Sequence, residues 1–224
     1  MGSPPRTSRR ATARATRSTD DARQQRHRAL ADVRRELVLD AARAAFFELG
    51  MEKTSIREVA QRAGYTPGAI YSYFASKEAL YGALLGESLE RLNQRVRAAR
   101  RADQAAADTL RATARAFFDF YRENPRDLDL GFYLFQGMKP RGLTPELNDA
   151  LNARLREALA PAQDALQALG LSSRQALAEI TALFAHAVGL LVLSHTGRIR
   201  MFRQGSRELF DAYLEQLLAR AAPG

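Results

Sequence analysis

The sequence predicts an all-α protein, with a small N-terminal three-helix unit followed by a larger helical bundle. Three observations predict it. Apolar residues recur with a period near 3.6 from about residue 37 onward, and no segment of any length alternates at the strand period. Glycines, prolines and Ser/Thr capping residues punctuate the periodic stretches. With 224 residues, 46% of them hydrophobic and 26% charged, the chain is an ordinary globular one of one large or two small domains.

The first segment, residues 1–30, is expected to be a disordered basic arm. Residues 1–35 hold ten arginines against Asp20, Asp21 and Asp32, a balance of +7 within the chain's +9. Such a segment either gathers DNA through its phosphates or is simply a solvated tail. A first helix follows over about Ala31–Leu49. Leu37, Val38, Ala41, Ala42, Ala45, Phe46 and Leu49 form its apolar stripe, and Gly50 ends it.

Residues 54–80 carry the densest local signals. Ser55 and Glu58 have capping-box spacing, and Ile56, Val59, Ala60 and Ala63 then share one face. Gly64 suits a left-handed helix end. Thr66 is a natural N-cap with Pro67 at the first helical position, and Ile70 and Phe74 lie four apart on the next helix. Ser76 caps a further helix opening at Lys77 and Glu78. Two short helices joined by a glycine turn are a helix-turn-helix pattern, whose second helix enters the DNA major groove N-terminus first. That places Thr66, Pro67, Gly68 and Ala69 at base edges, all of them small or capping groups that permit close approach. Tyrosine hydroxyls and a lysine at a helix start suit phosphate contacts.

Over residues 36–80 the chain resembles the DNA-binding domain of the TetR (tetracycline-repressor-like) family of transcriptional regulators. The likeness rests on Ala41-Ala42 and Phe46, Thr54-Ser55-Ile56-Arg57-Glu58-Val59-Ala60 and Ala63-Gly64-Tyr65-Thr66. It continues through Ala69-Ile70-Tyr71-Ser72-Tyr73-Phe74 and Ser76-Lys77-Glu78-Ala79-Leu80. By position, the resemblance implies that Thr54, Thr66, Tyr71, Tyr73 and Lys77 touch the DNA backbone, with Gly68 and Ala69 near bases. Ser55, Pro67 and Ser72 complete the candidate set. Ser72 stands where the family often has an aromatic residue and Tyr73 where it often has histidine. Five basic residues against six acidic ones make residues 36–80 nearly neutral, so long-range attraction to DNA falls to the arm.

Beyond residue 80 the expected helices are Lys77 to about Arg101, then 104–123, Asp127–Met138, 146–169, about Ser173–Ser194 and 206–221. Pro161 is expected to end or kink the fourth of these. The apolar run Ala182–Leu193 indicates burial on most sides. The resemblance implies that residues 81–224 are a helical regulatory and dimerisation domain. Leu183, Ala187, Leu190, Leu191, Phe210, Tyr213, Leu214 and Leu217 are its candidate homodimer surface. A small-molecule effector site is implied among the middle helices, with Phe117, Phe118, Tyr121, Phe132, Phe135, Met138 and His186 as walls and Gln136, His186 and His195 as polar anchors.

The absence of cysteine removes disulfides and thiolate zinc sites. No Ser-His-Asp order, phosphate loop or metal set appears, and His186 and His195 are nine apart, on opposite helix faces. Neither an enzyme nor a cofactor is therefore expected. No run of eighteen apolar residues is found and no secretory segment opens the chain, so a cytoplasmic protein without a membrane span is expected. The leading expectation is a homodimeric repressor that reads a palindrome in double-stranded DNA and is released by a hydrophobic effector. A nonspecific architectural DNA binder driven by the arm is the alternative.

Overall fold

The computed structural model describes residues 8–132 and 143–221, and among them every regular element is helical. In chain order they are α1 (Ser8–Lys53), α2 (Ile56–Ala63), α3 (Pro67–Tyr71), α4 (Lys77–Ala99), α5 (Ala106–Glu123), α6 (Pro125–Phe132), α7 (Pro145–Ala168), α8 (Ser173–His195) and α9 (Ser206–Ala221). A short 3-10 turn, Arg198–Phe202, joins α8 to α9. The chain divides into two compact units, residues 1–80 and 81–224.

In the first unit α1 begins at Ser8, well before the expected Ala31. Residues 8–49 contain no glycine or proline and are rich in Ala, Arg and Gln, which favour helix without any packed face. Gly50 breaks the helix at φ +75°, a conformation that only glycine adopts cheaply. The buried face of α1 is formed by Val38, Leu39, Ala42, Ala45 and Phe46. Leu37 and Leu49, expected inward, are instead exposed, because the buried face is centred to take in Leu39. Ile56, Val59, Ala60, Ile70 and Phe74 complete this core. Arg62 fastens α2 to α1 through Glu48 and also pairs with Glu58 of its own helix, each at 2.7 Å, and these hydrogen bonds raise its guanidinium pKa further.

The second unit is built around α5, whose Leu110, Phe117, Phe118, Phe120 and Tyr121 are all buried. Phe118 stacks on Phe210 of α9, with ring centroids 4.3 Å apart. Arg111 grips Glu215 through two hydrogen bonds of 2.8 Å, and Arg115 reaches Asp211 at 2.8 Å, so ion pairs line the same α5–α9 seam. Helices α4 and α7 approach closely at Gly82, where an added Cβ would lie 2.5 Å from the Leu147 side chain. Of the two outcomes expected at Pro161, an end or a kink, the end does not occur: α7 runs through it to Ala168. Helix α8 opens with a complete capping box, Ser172 and Gln175 satisfying each other's backbone N–H groups.

Helix α8 differs from expectation in two respects. With a mean hydropathy of 2.0 over its best window, it is long and apolar enough by composition to cross a membrane, because scattered polar residues interrupt but do not outweigh its apolar content. Within the run Ala182–Leu193 only Ala182, Ala185 and Gly189 are exposed, so one narrow stripe of small residues stays open. The buried side holds Leu183, Ala187, Leu190 and Leu191, and α9 adds Phe210, Leu214 and Leu217. These seven of the eight candidate interface residues are core of a single chain. The open side of α8 is lined by Ala178, Ala182, Ala185 and Gly189, and Ala212 and Ala219 are exposed on α9.

Candidate nucleic-acid interface and ligand cavity

The helix-turn-helix is built by local hydrogen bonds that its sequence dictates. Ser55 Oγ accepts the Glu58 N–H at 3.1 Å and starts α2. The reciprocal half of the expected capping box does not form, because the Glu58 carboxylate takes Arg62 Nε instead. Gly64 adopts φ +72° and closes α2, and the Tyr65 N–H reaches back to the Ala60 carbonyl at 2.8 Å. Thr66 Oγ1 accepts the Ala69 N–H at 3.3 Å and Pro67 occupies the first helical position of α3. Ser72 Oγ donates to the Ala69 carbonyl at 2.7 Å, and Ser76 Oγ receives the Ala79 N–H at the start of α4.

Ile70 and Phe74 anchor α3 inward, which leaves Thr66, Pro67, Gly68, Tyr71 and Ser72 exposed, with Ala69, Tyr73 and Lys77 half-buried. Tyr71 keeps 56% of its surface open to solvent. At Gly68 an added Cβ would meet only Thr66 Oγ1, 4.0 Å away. The fold itself therefore has no need of glycine there, which leaves an approaching external surface as the physical use for it. Ser55 is exposed beside this face, as is Arg57, which the sequence reading did not select although its charge and its neighbour Ser55 were the available signal.

Thr54 is the exception among the candidates. It is 2% exposed, and its hydroxyl lies 2.8 Å from the Gly50 carbonyl and 3.1 Å from that of Ala45. Its side chain holds the α1–α2 corner and is not available to a phosphate. Thr54→Val is expected to cost about 1–2 kcal/mol in urea unfolding by orphaning a buried acceptor, while the salt dependence of DNA binding stays unchanged.

In the second unit a cavity of about 290 Å³ lies among α4, α5, α6 and α7. Leu85, Leu89, Phe132, Leu151 and Leu155 give it apolar walls, and Tyr121, Asn148 and Asn152 bring polar groups to it. Tyr121 is fully buried, and burial, helped by the negative charge of Asp127, raises its pKa far above the ordinary phenol value. Tyr121 and Phe132, two of the expected wall residues, meet here edge to face at 5.6 Å. Phe117 lies apart, packed between Tyr121 and Phe184 against a void of only about 10 Å³. Phe118 is core, as its stack on Phe210 shows.

His186 sits elsewhere, between α8 and α9, its ring stacked 4.2 Å from Tyr213 and its Nε2 buried without a partner among the described residues. Burial lowers its pKa from the ordinary histidine value. His195 Nε2 lies 3.3 Å from the Tyr121 carbonyl, a backbone contact behind the cavity wall. Phe135, Gln136 and Met138 lie outside the described residues. Asn148 and Asn152 were missed by sequence reading, although an i, i+4 amide pair beside the apolar Leu151 and Leu155 of α7 was visible in it.

A second, more open groove of about 660 Å³ runs between α7 and α8 and shares Asn152 and Leu155 with the cavity.

Two family profiles match the chain. Residues 38–84 match bacterial regulatory proteins of the tetR family, and residues 110–217 match the tetracyclin repressor-like C-terminal domain. The HTH-type transcriptional activator FasR of Mycolicibacterium smegmatis is 36% identical over 101 residues, which cover 45% of this chain and 46% of that protein. The HTH-type transcriptional repressor Rv1474c of Mycobacterium tuberculosis is 42% identical over 59 residues, covering 26% of this chain and 32% of that protein. The chain thus matches less than half the length of these curated relatives. Among solved structures, the regulator FadR from Bacillus subtilis in complex with stearoyl-CoA superposes with a TM-score of 0.62 at 20% identity, covering 81% of this chain and 96% of that one. At that identity the likeness concerns the fold.

Proposed function

The chain belongs to the TetR family of bacterial transcriptional regulators, and we propose that it is a homodimeric repressor that reads a palindromic operator and is released by a small, largely apolar effector. The observation that carries the DNA half of this reading is the face of α3. A helix capped by Thr66 and Pro67 presents a glycine with open space, flanked by exposed Tyr71 and Ser72. Thr66, Pro67, Gly68 and Ala69 meet base edges, while Ser55, Tyr71, Ser72, Tyr73 and Lys77 hold phosphates. Arg57 joins the phosphate set, and the arginine arm, residues 1–30, supplies long-range attraction.

Pairing of two copies is supported by α8, an apolar helix with an exposed stripe of small residues in a single chain. Two paired chains present two reading heads, which suits half-sites one helical turn apart, about 34–36 Å. DNase footprinting on the promoters next to its own gene, at low salt, tests the whole reading. A protected palindrome is expected, and protection without sequence preference would point to an architectural protein instead. Removing residues 1–28 sharpens the distinction, since operator preference then survives with weaker overall affinity.

The effector occupies the cavity among α4–α7, in the cytoplasm, and favours the released state over the bound one. Its apolar body packs on Leu85, Leu89 and Leu151, and a polar group bonds the Tyr121 hydroxyl or the Asn148 and Asn152 amides. Tyr121→Phe is expected to leave stability within about 1 kcal/mol, since the buried ring is kept and only the hydroxyl is lost. Effector-driven release from DNA then requires about five- to fiftyfold more effector, measured by fluorescence anisotropy with candidate apolar ligands. Unchanged effector response would place the binding group elsewhere.

A further inference from the structure

The turn joining α8 to α9 combines two features. Met201 and Phe202 are 75% and 61% exposed, the two most exposed large hydrophobic side chains among the described residues. Arg198, Arg200 and Arg203 surround them, all exposed and none in an ion pair among the described residues, whereas Arg95, Arg111, Arg115, Arg207 and Arg220 of the same unit are tied to carboxylates. From His195 to Gly205 the sequence contains no acidic residue.

The turn is held in this shape. Gly197 reverses the chain at φ +71°, and its carbonyl accepts the Arg200 N–H at 3.2 Å. Ile199 is 7% exposed and pins the turn inward. Arg203 takes φ +50°, an uncommon conformation for a residue with a Cβ, and its N–H bonds the Arg200 carbonyl at 3.0 Å. The backbone thus spends local strain to point Met201 and Phe202 at solvent. Exposing both serves nothing in a single chain, since burying large apolar side chains is favourable.

We propose that this turn docks on an anionic lipid surface, with Met201 and Phe202 entering the headgroup–acyl boundary and Arg198, Arg200 and Arg203 pairing with lipid phosphates. Charge and shape both select that partner. Nucleic acid would satisfy the arginines but leave the thioether and an unstacked phenyl ring in water. A second copy meeting the same turn about a two-fold axis would bring six arginines together. A lipid surface offers phosphates at one depth and an apolar layer just beneath, which matches arginines flanking an apolar tip. The attachment is peripheral and needs no helix to cross the bilayer.

The chain contains no tryptophan, so Phe202→Trp places a single reporter at the tip. Full-length protein carrying it is titrated with phosphatidylglycerol–phosphatidylcholine vesicles and with phosphatidylcholine vesicles alone. The expected result is a blue shift of the emission on anionic vesicles only. Replacing Arg198, Arg200 and Arg203 by glutamine in that background is expected to weaken the shift's vesicle dependence on the order of a hundredfold, from about fivefold per charge. The arginine arm also attracts anionic lipid, so pelleting with vesicles is not the readout. Emission that stays at its solvent-exposed wavelength while the protein pellets overturns the proposal. So does a blue shift without lipid that disappears on dilution, which marks a contact between copies, or one produced by duplex DNA and not by vesicles.

Discussion

A chain carrying Gly68→Glu is expected to fold and melt like the parent, yet to bind its operator at least about a thousandfold more weakly, at the level of nonspecific binding. Gly68 is the second residue of α3, and the space around its Cβ position is open apart from Thr66 Oγ1 at 4.0 Å. Nothing within the fold resists a side chain there. Helix propensity favours glutamate over glycine by about 0.5 kcal/mol, and a carboxylate near a helix N-terminus adds about 0.3–1 kcal/mol. Stability therefore holds or rises slightly. On DNA the same side chain lies against base edges and brings negative charge beside phosphates, so steric and electrostatic effects act together. Thermal melting and fluorescence anisotropy on the same preparation check both halves. Retained operator affinity in a stably folded Gly68→Glu protein would mean that α3 does not enter the groove by its N-terminus.

Phe118→Ala is expected to be the most damaging single truncation in the second unit, costing about 3–5 kcal/mol. The ring is fully buried and lies 4.3 Å from Phe210 with its plane only 9° off parallel. Its loss removes apolar burial, forfeits the aromatic contact and leaves a cavity between α5 and α9 that ion pairs on the rim would keep from collapsing. Against a total stability of about 5–15 kcal/mol this is a large share, and a fall in melting temperature of about 10 °C or more follows. Phe202→Ala is the internal control, with a change within about 0.5 kcal/mol because that ring is exposed. Calorimetry on the two variants decides it. A loss below about 1 kcal/mol at Phe118 would show that α5 and α9 repack freely and that the stack contributes little.

The elements most legible in the sequence are those written by local chemistry. Gly64, Thr66, Pro67 and Ser76 act within a few residues of themselves, so their spacing specified both helix ends and the turn between them. Legibility fell where a residue answers to distant neighbours. Thr54 reads as a surface hydroxyl until the corner between α1 and α2 places two carbonyls beside it. Leu37 and Leu39 are only two residues apart along α1, and packing decides which goes inside. The α8–α9 residues chosen for an interface were apolar enough for either role, and the bundle used them as core.

The sequence alone determined an all-helical chain and a glycine-turned pair of short helices, because caps, turns and helical period are local and each residue type has few uses there, and residues 36–80 carried the resemblance to the TetR family. Tertiary structure decided which apolar faces meet, which hydroxyls are consumed by backbone carbonyls, and where space remains. It opened a cavity at Tyr121, Asn148 and Asn152 and left Met201 and Phe202 in water. Those outcomes depend on side chains brought together from far apart in the chain, and close packing, unlike periodicity, leaves no repeating mark in the order of residues.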